Sequence, residues 1–177
     1  MAKAIMGKEK VLYFRKLGEA ESGTLVLQTE HAISASREKE TQVTKFGTVA
    51  IGSTLEEEVT ISAIQASDDP FYKVLEDAVY DDYPLEVWEV DLSKGEGETR
   101  EAEYRQGYLT SWERTAGEEA LTVEGSFTTH EIRQRGTVTL SAEQMADLQY
   151  VFHDLTPDDI ADDGLASVPA PVAPEGV

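Results

Sequence analysis

The sequence predicts a mainly β protein, a sandwich or barrel of strands with one or two flanking α-helices. Most of the chain consists of runs rich in β-branched and aromatic residues, separated by clusters of Gly, Asp, Ser and Lys. Two stretches instead carry apolar residues at helical spacing. The length of 177 residues suits one domain with a real core, and a hydrophobic content of 40% is ordinary for a soluble protein.

Strand-like runs come before the first helix. They are Val11–Phe14, Thr24–Thr29 with a further stretch at Ala32–Ser36, and Val59–Ile64. In the last run Val59, Ile61 and Ala63 occupy every second position. A period of two places these three side chains on one face, which indicates a strand with one buried side.

The segment Glu38–Glu58 is neither strand-like nor compact. A connection of about 20 residues is long for a compact domain and is usually functional or disordered. Apolar residues are spaced through it, with Gly47 and Gly52 as pivots. If a neighbouring chain covers these residues, the segment is an assembly arm; the alternative is a long twisted hairpin within the fold. The candidate subunit-interface residues are Val43, Phe46, Gly47, Val49 and Ile51.

The first helix is predicted to begin at Pro70. Asp69 can cap it, and proline is tolerated at the first helical position because its missing N–H would have no partner there. One apolar stripe follows at helical spacing, so the helix should lie on a sheet. The stripe consists of Phe71, Val74, Leu75, Ala78 and Val79.

Strands resume after Pro84. The predicted runs are Leu85–Leu92, Tyr104–Trp112 and Leu121–Phe127, and Lys94–Glu98 is the clearest hairpin loop. Several acidic residues lie within these strands, and alternation places Glu89 and Asp91 on one side of the sheet with Glu86 on the other. Glu113 and Glu124 are further strand acids.

A second helix is predicted to begin at Ser141. Gln144 three residues later completes a capping box. Its buried face would consist of Met145, Leu148, Phe152 and Leu155. The final stretch, 156–177, is acidic, has no basic residue and is rich in Pro and Ala, so it is predicted to be a flexible tail.

The charge balance excludes one class of function. Fifteen basic against 35 acidic residues give a net charge of −20. Because nucleic-acid binding depends on Lys and Arg that neutralise phosphates, a sequence-specific or backbone-binding nucleic-acid protein is excluded. Cysteine is absent, so disulfides and thiol chemistry are excluded too. No apolar run approaches the roughly 20 residues that a membrane span requires.

The sequence carries no recognisable catalytic motif. His31, His130 and His153 lie far apart and in no metal-binding spacing. A nucleophile elbow, a phosphate loop and a complete calcium loop are absent as well. The prediction is therefore a protein that is not an enzyme and has no catalytic residue, no cofactor and no metal.

Six stretches, in order, carry a resemblance to a known family. The most specific are Leu85–Leu92 and Gln106–Glu113; the others are Met1–Lys8 with Val11–Arg15, Leu27–His31, Thr41–Gly47 and Gly136–Gln144. They resemble the major tail proteins of siphophages that infect Gram-positive bacteria. Phe46 departs from the pattern, since a polar residue is expected there. The resemblance covers residues 1–155 and has no counterpart for 156–177.

The resemblance implies a structural virion protein. Its expected fold is the tail-tube β-sandwich over 1–155, with an arm at 38–58 and a separate tail at 156–177, a fold shared with type VI secretion tube proteins. Six copies would form a ring, and stacked rings would form a tube whose inner sheets line a DNA channel. The implied partners are further copies, the tape measure protein, the tail terminator, baseplate or distal tail proteins, and DNA bound without specificity. The implied location is the virion tail, and the host cytoplasm during assembly.

Within that scheme the acidity becomes a property of the channel wall. A bore without Lys or Arg would offer phosphates no attractive site. Glu86, Glu89, Asp91, Glu113 and Glu124 are the strand acids from which lumen residues could come. Two other classes remain as alternatives: an acidic β-sandwich that binds a protein partner, and a carbohydrate-active β-sandwich enzyme with two convergent carboxylates.

Overall fold

The computed structural model describes residues 6–25, 27–66, 69–142 and 144–145. A short 3-10 turn at Gly7–Glu9 opens this part of the chain. The strands are β1 (Lys10–Lys16), β2 (Ser22–Gly23), β3 (Leu27–Arg37), β4 (Glu40–Thr44), β5 (Gly47–Ile51), β6 (Leu55–Ile64), β7 (Leu85–Glu96), β8 (Thr99–Ala116), β9 (Leu121–Thr129) and β10 (Gln134–Thr139), and the helix α1 (Pro70–Tyr80) lies between β6 and β7. The expected mainly β architecture with a flanking helix is confirmed.

Eight of the strands form one antiparallel sheet. Its order is β2-β1-β7-β8-β9-β6-β3, and β10 pairs with β8. β8 is the longest strand and changes partners along its length, because residues 99–107 pair with β7 while residues 107–116 pair with β9. A register shift between Leu109 and Ser111 marks an irregularity in this strand. Such bulges bend a strand, which lets one sheet supply both layers of a sandwich.

The two layers enclose the main core. Leu12 and Phe14 of β1 belong to the same buried cluster as Val59 and Ile61 of β6, although the two strands lie far apart in the sheet. Alternation confirms the predicted buried face of β6, since Val59, Ile61 and Ala63 are all at most 2% exposed. The sheet therefore folds over itself.

Helix α1 is built as the sequence predicts. Asp69 Oδ1 accepts a hydrogen bond from the Phe71 backbone N–H at 3.0 Å, and Pro70 is the first helical residue. Leu75 and Ala78 of the predicted stripe are buried in the main core. Tyr72 is buried as well, and its ring lies 6.0 Å from that of Trp112 on β8.

A smaller cluster covers the opposite face of the β1, β7 and β8 layer. Tyr13, Val90, Ala102 and Leu140 are buried there, and Met145 packs against them. The predicted capping box is present, because Gln144 N donates to Ser141 Oγ at 3.1 Å and Ser141 N donates to Gln144 Oε1 at 3.0 Å. The rest of the predicted second helix and the predicted tail at 156–177 lie outside the described residues.

The structure differs from the sequence prediction at a loop and at a strand. The predicted hairpin loop Lys94–Glu98 is shorter than expected, because β7 continues to Glu96 and β8 begins at Thr99. The two predicted runs at Thr24–Thr29 and Ala32–Ser36 form a single strand, β3, which begins at Leu27. A register shift between Gln28 and Glu30 interrupts its pairing with β6. The bulge breaks the alternation, and this explains why the sequence pattern suggests two runs.

Candidate functional site

A hairpin projects between β3 and β6. Its strands, β4 and β5, form a two-stranded sheet of their own, separate from the main sheet. All ten residues of the two strands are exposed. At its root the Arg37 guanidinium donates to the Ser53 carbonyl at 3.2 Å. We call residues 38–54 the arm.

The arm carries the sequence-predicted interface residues in three positions. Val49 and Ile51 lie on one face of the ribbon, since directly paired residues share a face and both pair with the Glu40 and Gln42 side of β4. Val43 lies on the opposite face and is 82% exposed. Phe46 occupies the turn and is fully exposed.

Gly47 follows the turn with a φ of +133°. That backbone region disfavours any residue with a β-carbon, which accounts for a glycine at this position. The Thr44 hydroxyl donates to the Gly47 carbonyl at 2.8 Å and supports the turn. The turn therefore holds Phe46 at the tip of the arm.

The boundary of the predicted arm needs correction. Residues 55–58, placed in the arm by the sequence, belong to β6 and pair with β3. Glu57 is 5% exposed and lies in the space between the two layers. Residues 38–54 form a hairpin, which is the alternative prediction for this segment, but both strands of the hairpin are exposed to solvent.

A buried ionic cluster lies below the arm. Arg105 of β8 is 1% exposed and donates to Glu57 Oε1 at 2.5 Å and to Glu103 Oε2 at 2.8 Å. Glu103 Oε1 also accepts a hydrogen bond from Arg135 Nε at 3.1 Å. Burial alone would raise the pKa of Glu103, but the hydrogen bonds from Arg105 and Arg135 outweigh it and hold that pKa below its ordinary value. These ion pairs thus fix the start of β6 to β8, and β8 to β10.

The outer face of β3, β6, β9 and the second half of β8 is acidic. Residues paired across neighbouring strands share a face, so the positions opposite the buried Val59, Ile61 and Ala63 define this surface. Its carboxylates are Glu30, Glu56, Glu58, Glu113 and Glu124, all exposed. The other outward positions of these strands, as far as the structure describes them, are Ser, Thr, Ala, Leu, Ile and Tyr. We call this surface the acidic face.

The acidic face carries no Lys or Arg on any described strand position. Glu113 and Glu124 lie directly opposite each other, and Ser62 and Glu30 continue the same row. Like charges in directly opposed positions destabilise a sheet. Folding stability does not account for this arrangement.

The other strand acids are held within the fold. Asp91 is 2% exposed and lies 3.1 Å from Lys10 Nζ, while Glu86 accepts from Arg15 at 2.6 Å. Glu89 lies 3.0 Å from the His31 ring. Alternation is as predicted, since Glu89 and Asp91 share one side and Glu86 the other, but all three have partners inside the protein. Of the sequence candidates, Glu113 and Glu124 are the two on the acidic face.

Sequence reasoning missed three members of that face. Glu56 and Glu58 lie outward on β6, and Glu30 lies outward on β3. The alternation of Val59, Ile61 and Ala63, continued toward the N-terminus, would have placed Glu56 and Glu58 outward. The bulge next to Glu30 hides its orientation in the sequence.

Two strand edges flank the acidic face. β3 ends the sheet order, and residues 108–116 of β8 have a described strand partner, β9, on one side only. Unpaired edges present free N–H and C=O groups, which are templates for pairing with another chain. Among the described residues no group of side chains suits a metal ion, and no helix could cross a membrane.

Comparisons with known proteins agree with this arrangement. A family model described as phage tail tube protein matches residues 4–130. A putative tail protein of Staphylococcus phage phiMR25 is 29% identical over 187 residues, which cover 97% of this chain and 94% of that protein.

Two solved structures have a similar fold. The SPP1 tail tube aligns with a TM-score of 0.69 at 17% identity, over 82% of this chain and 86% of that chain. The tail of an empty gene transfer agent particle aligns with a TM-score of 0.61 at 12% identity, over 75% of this chain and 99% of that chain. At these identities the likeness concerns the fold.

Proposed function

The chain belongs to the phage tail tube protein family, and on that premise we propose that six copies close into a ring and that stacked rings conduct DNA. As a member of this family it is a structural protein of the virion tail and not an enzyme. The similar gene transfer agent tail has C6 symmetry, which supports six copies in each ring.

The acidic face is the observation that carries this proposal. It is an extended sheet surface with five carboxylates and no described Lys or Arg, in a position where carboxylates oppose one another at a cost to folding. Lining a DNA channel accounts for that cost, because DNA phosphates find no cation to bind on such a wall. The acidic face is therefore the proposed lumen surface.

Ring closure follows from the edges of the same face. The free edge of β3 in one subunit would pair with the second half of β8 in its neighbour. Such pairing makes the acidic faces of all subunits one continuous wall. It also removes two exposed edges that would favour irregular aggregation.

Stacking is assigned to the arm. Its exposed apolar side chains, Val43, Phe46, Val49 and Ile51, need a cover that the described part of the chain does not supply. An adjacent ring can supply it. The assembling domain would extend over residues 1–155, and the stretch 156–177 would be dispensable for assembly.

The remaining partners follow from the role of a tube. The tape measure protein would occupy the lumen during assembly, the tail terminator would close one end, and baseplate or distal tail proteins would bind the other. DNA would pass without specific binding. Assembly would take place in the host cytoplasm before the tail joins the virion.

Electron microscopy of the purified protein, with tape measure protein supplied, tests the proposal. We expect tubes with six-fold rings and a continuous wall formed by the acidic face. A protein that stays monomeric or dimeric at high concentration would instead fit the acidic binding module. A bore lined mainly by Lys and Arg would contradict the assigned lumen even if tubes form.

A further inference from the structure

A cleft of about 1160 Å³ opens beside the first residues of β3. Its walls come from the start of β1, from β2, from residues Gln28–His31 and from the N-terminal end of α1. Val11, Leu25 and Phe71 contribute apolar surface, and Glu21 and Glu30 contribute carboxylates. The cleft thus combines an apolar lining with acidic side chains.

The arm and the cleft lie at different ends of β3. β3 runs from the cleft at Gln28–His31 to the arm, which begins after Arg37. His31 and Arg37 are six positions apart along the strand, a length of roughly 20 Å at the usual rise. The arm then continues for nine residues from Glu38 to Phe46 in a separate sheet, so its tip lies beyond the end of β3 that is remote from the cleft.

The chemistry of the arm tip complements that of the cleft. Phe46 presents an uncovered aromatic ring, and Lys45 beside it has no ion-pair partner among the described residues. Glu21 and Glu30 of the cleft lining have no ion-pair partner among the described residues. Lys8, a basic residue of the same lining, has no such partner either. Two unpaired carboxylates against one unpaired ammonium leave the cleft net negative, which favours a cationic tip.

We propose that the cleft receives the arm tip of a second copy of this chain from the adjacent ring, an inference that rests on the proposed function. A knob at one end of a subunit and its socket at the other form a head-to-tail contact, which does not close on itself and generates an open stack. Phe46 packs against the apolar lining, and Lys45 faces Glu21, while Glu30 stays at the edge of the acidic face. Each ring therefore fixes the rotation of the next.

Cysteine cross-linking tests this contact, because the natural chain contains no cysteine. The double variant Thr48→Cys, Lys8→Cys keeps Phe46, Lys45 and Glu21, because Thr48 is an exposed residue of β5 two positions after Phe46 and Lys8 lines the cleft. It is assembled into tubes and treated with a short bis-maleimide. We expect a ladder of covalent multimers on a denaturing gel. The double variant Thr48→Cys, Thr29→Cys probes the same cleft from another wall and should give the same ladder.

The matched control is Thr48→Cys, Tyr80→Cys. Tyr80 is 78% exposed on α1 and does not line the cleft, so this variant should give no ladder. Tubes that give equal ladders with the control, or none with either cleft variant, would overturn the docking site and leave the tube intact. Cross-links within single chains would show that the arm folds back. If the natural protein forms no tubes at all, the proposed function fails together with this contact.

Discussion

Arg105 is the most deeply buried charge in the described fold, at 1% exposure. It contacts Glu57 near the start of β6 and Glu103 of its own strand. Burial alone would lower the pKa of Arg105, yet the hydrogen bonds that it donates to both carboxylates raise that pKa above its ordinary value, so the guanidinium stays charged. Such a cluster is sensitive to loss of one partner, because the other charge then remains buried alone.

We expect Arg105→Met to reduce the free energy of unfolding by about 3–5 kcal/mol, since Glu57 would lose its cation. Denaturant unfolding of the monomer, followed by tryptophan fluorescence, measures this. Arg114→Met is the control: Arg114 is 49% exposed, pairs with Glu76 and donates to the Tyr72 hydroxyl, and its loss leaves no carboxylate as deeply buried as Glu57, so the variant should lose much less stability. Adding Glu57→Gln to Arg105→Met should restore part of the loss. Equal losses for the two arginine variants would contradict the assigned role.

Asp91 is expected to make folding stability depend on pH. Burial by itself would raise its pKa, but hydrogen bonds from Ser93 and Lys10 hold it below the ordinary value of 3.8. A lowered acid pKa contributes stability that is present above pH 3.8 and is lost as the pH falls through the folded-state value. The stability difference between the natural chain and Asp91→Asn should therefore be largest near neutral pH and shrink in acid.

Unfolding curves from neutral to acid pH measure that difference. Asp81→Asn serves as the control, because Asp81 is exposed just after α1. A constant difference for Asp91→Asn at every pH would show that its ion pair with Lys10 is not the cause.

At the scale of elements, the acidic face and the arm have separate roles. The acidic face is a rigid product of four paired strands, whereas the arm is a two-stranded ribbon with no described layer packed on it. A lone hairpin of this kind is marginally stable in water. The arm therefore gains most of its order from whatever covers it.

Reversal of charge on the acidic face should make the tube bind DNA. We expect Glu113→Lys with Glu124→Lys to fold, because the change removes no buried contact. Tubes of this variant should retain short DNA duplexes in a pull-down, with retention that falls as salt rises. Glu118→Lys with Glu119→Lys, in the turn between β8 and β9, is the control. DNA retention by the control alone would place the lumen elsewhere.

Deletion of the arm should separate folding from stacking. Replacement of residues 40–51 by a short glycine-serine turn leaves β3 and β6 joined and removes no residue of the described cores. We expect a folded chain that forms single rings at most. Circular dichroism checks the fold and electron microscopy checks the stack. An unfolded deletion variant would show that the arm belongs to the core.

At the scale of the whole molecule, the acidic residues behind the net charge of −20 are unevenly paired with basic residues. Buried acids are matched by Lys10, Arg15 and Arg105, whereas the acidic face has no basic partner among the described residues. The sequence of the stretch 156–177 contains acidic residues and no basic one. Like charge on subunits opposes their association, so edge pairing and the arm must outweigh it.

We expect truncation after Leu155 to leave folding and tube formation intact, because the removed stretch has no periodic apolar pattern to pack a core. Gel filtration and electron microscopy of the truncated chain check this. A variant truncated after Ser141 is the comparison, since it also loses Met145 from the smaller cluster. Insoluble protein from the chain truncated after Leu155 would refute the prediction.

Local sequence determined much of this protein. Strand alternation gave the buried face of β6, Asp69 with Pro70 gave the start of α1, and Ser141 with Gln144 gave the capping box. It also marked Phe46 and its neighbours as residues in need of cover. These features depend on residues a few positions apart, so a single chain displays them.

Tertiary structure alone decided which acids are available for function. Glu86 is matched by Arg15 and Glu89 by His31, partners 71 and 58 residues away in sequence. Alternation places an acidic side chain on one face of a strand, but it does not show whether a basic side chain lies opposite it. The opposite layer depends on how the sheet folds over at β8. For this reason Glu113 and Glu124 lie free on the acidic face, while Glu86, Glu89 and Asp91 are held inside the protein.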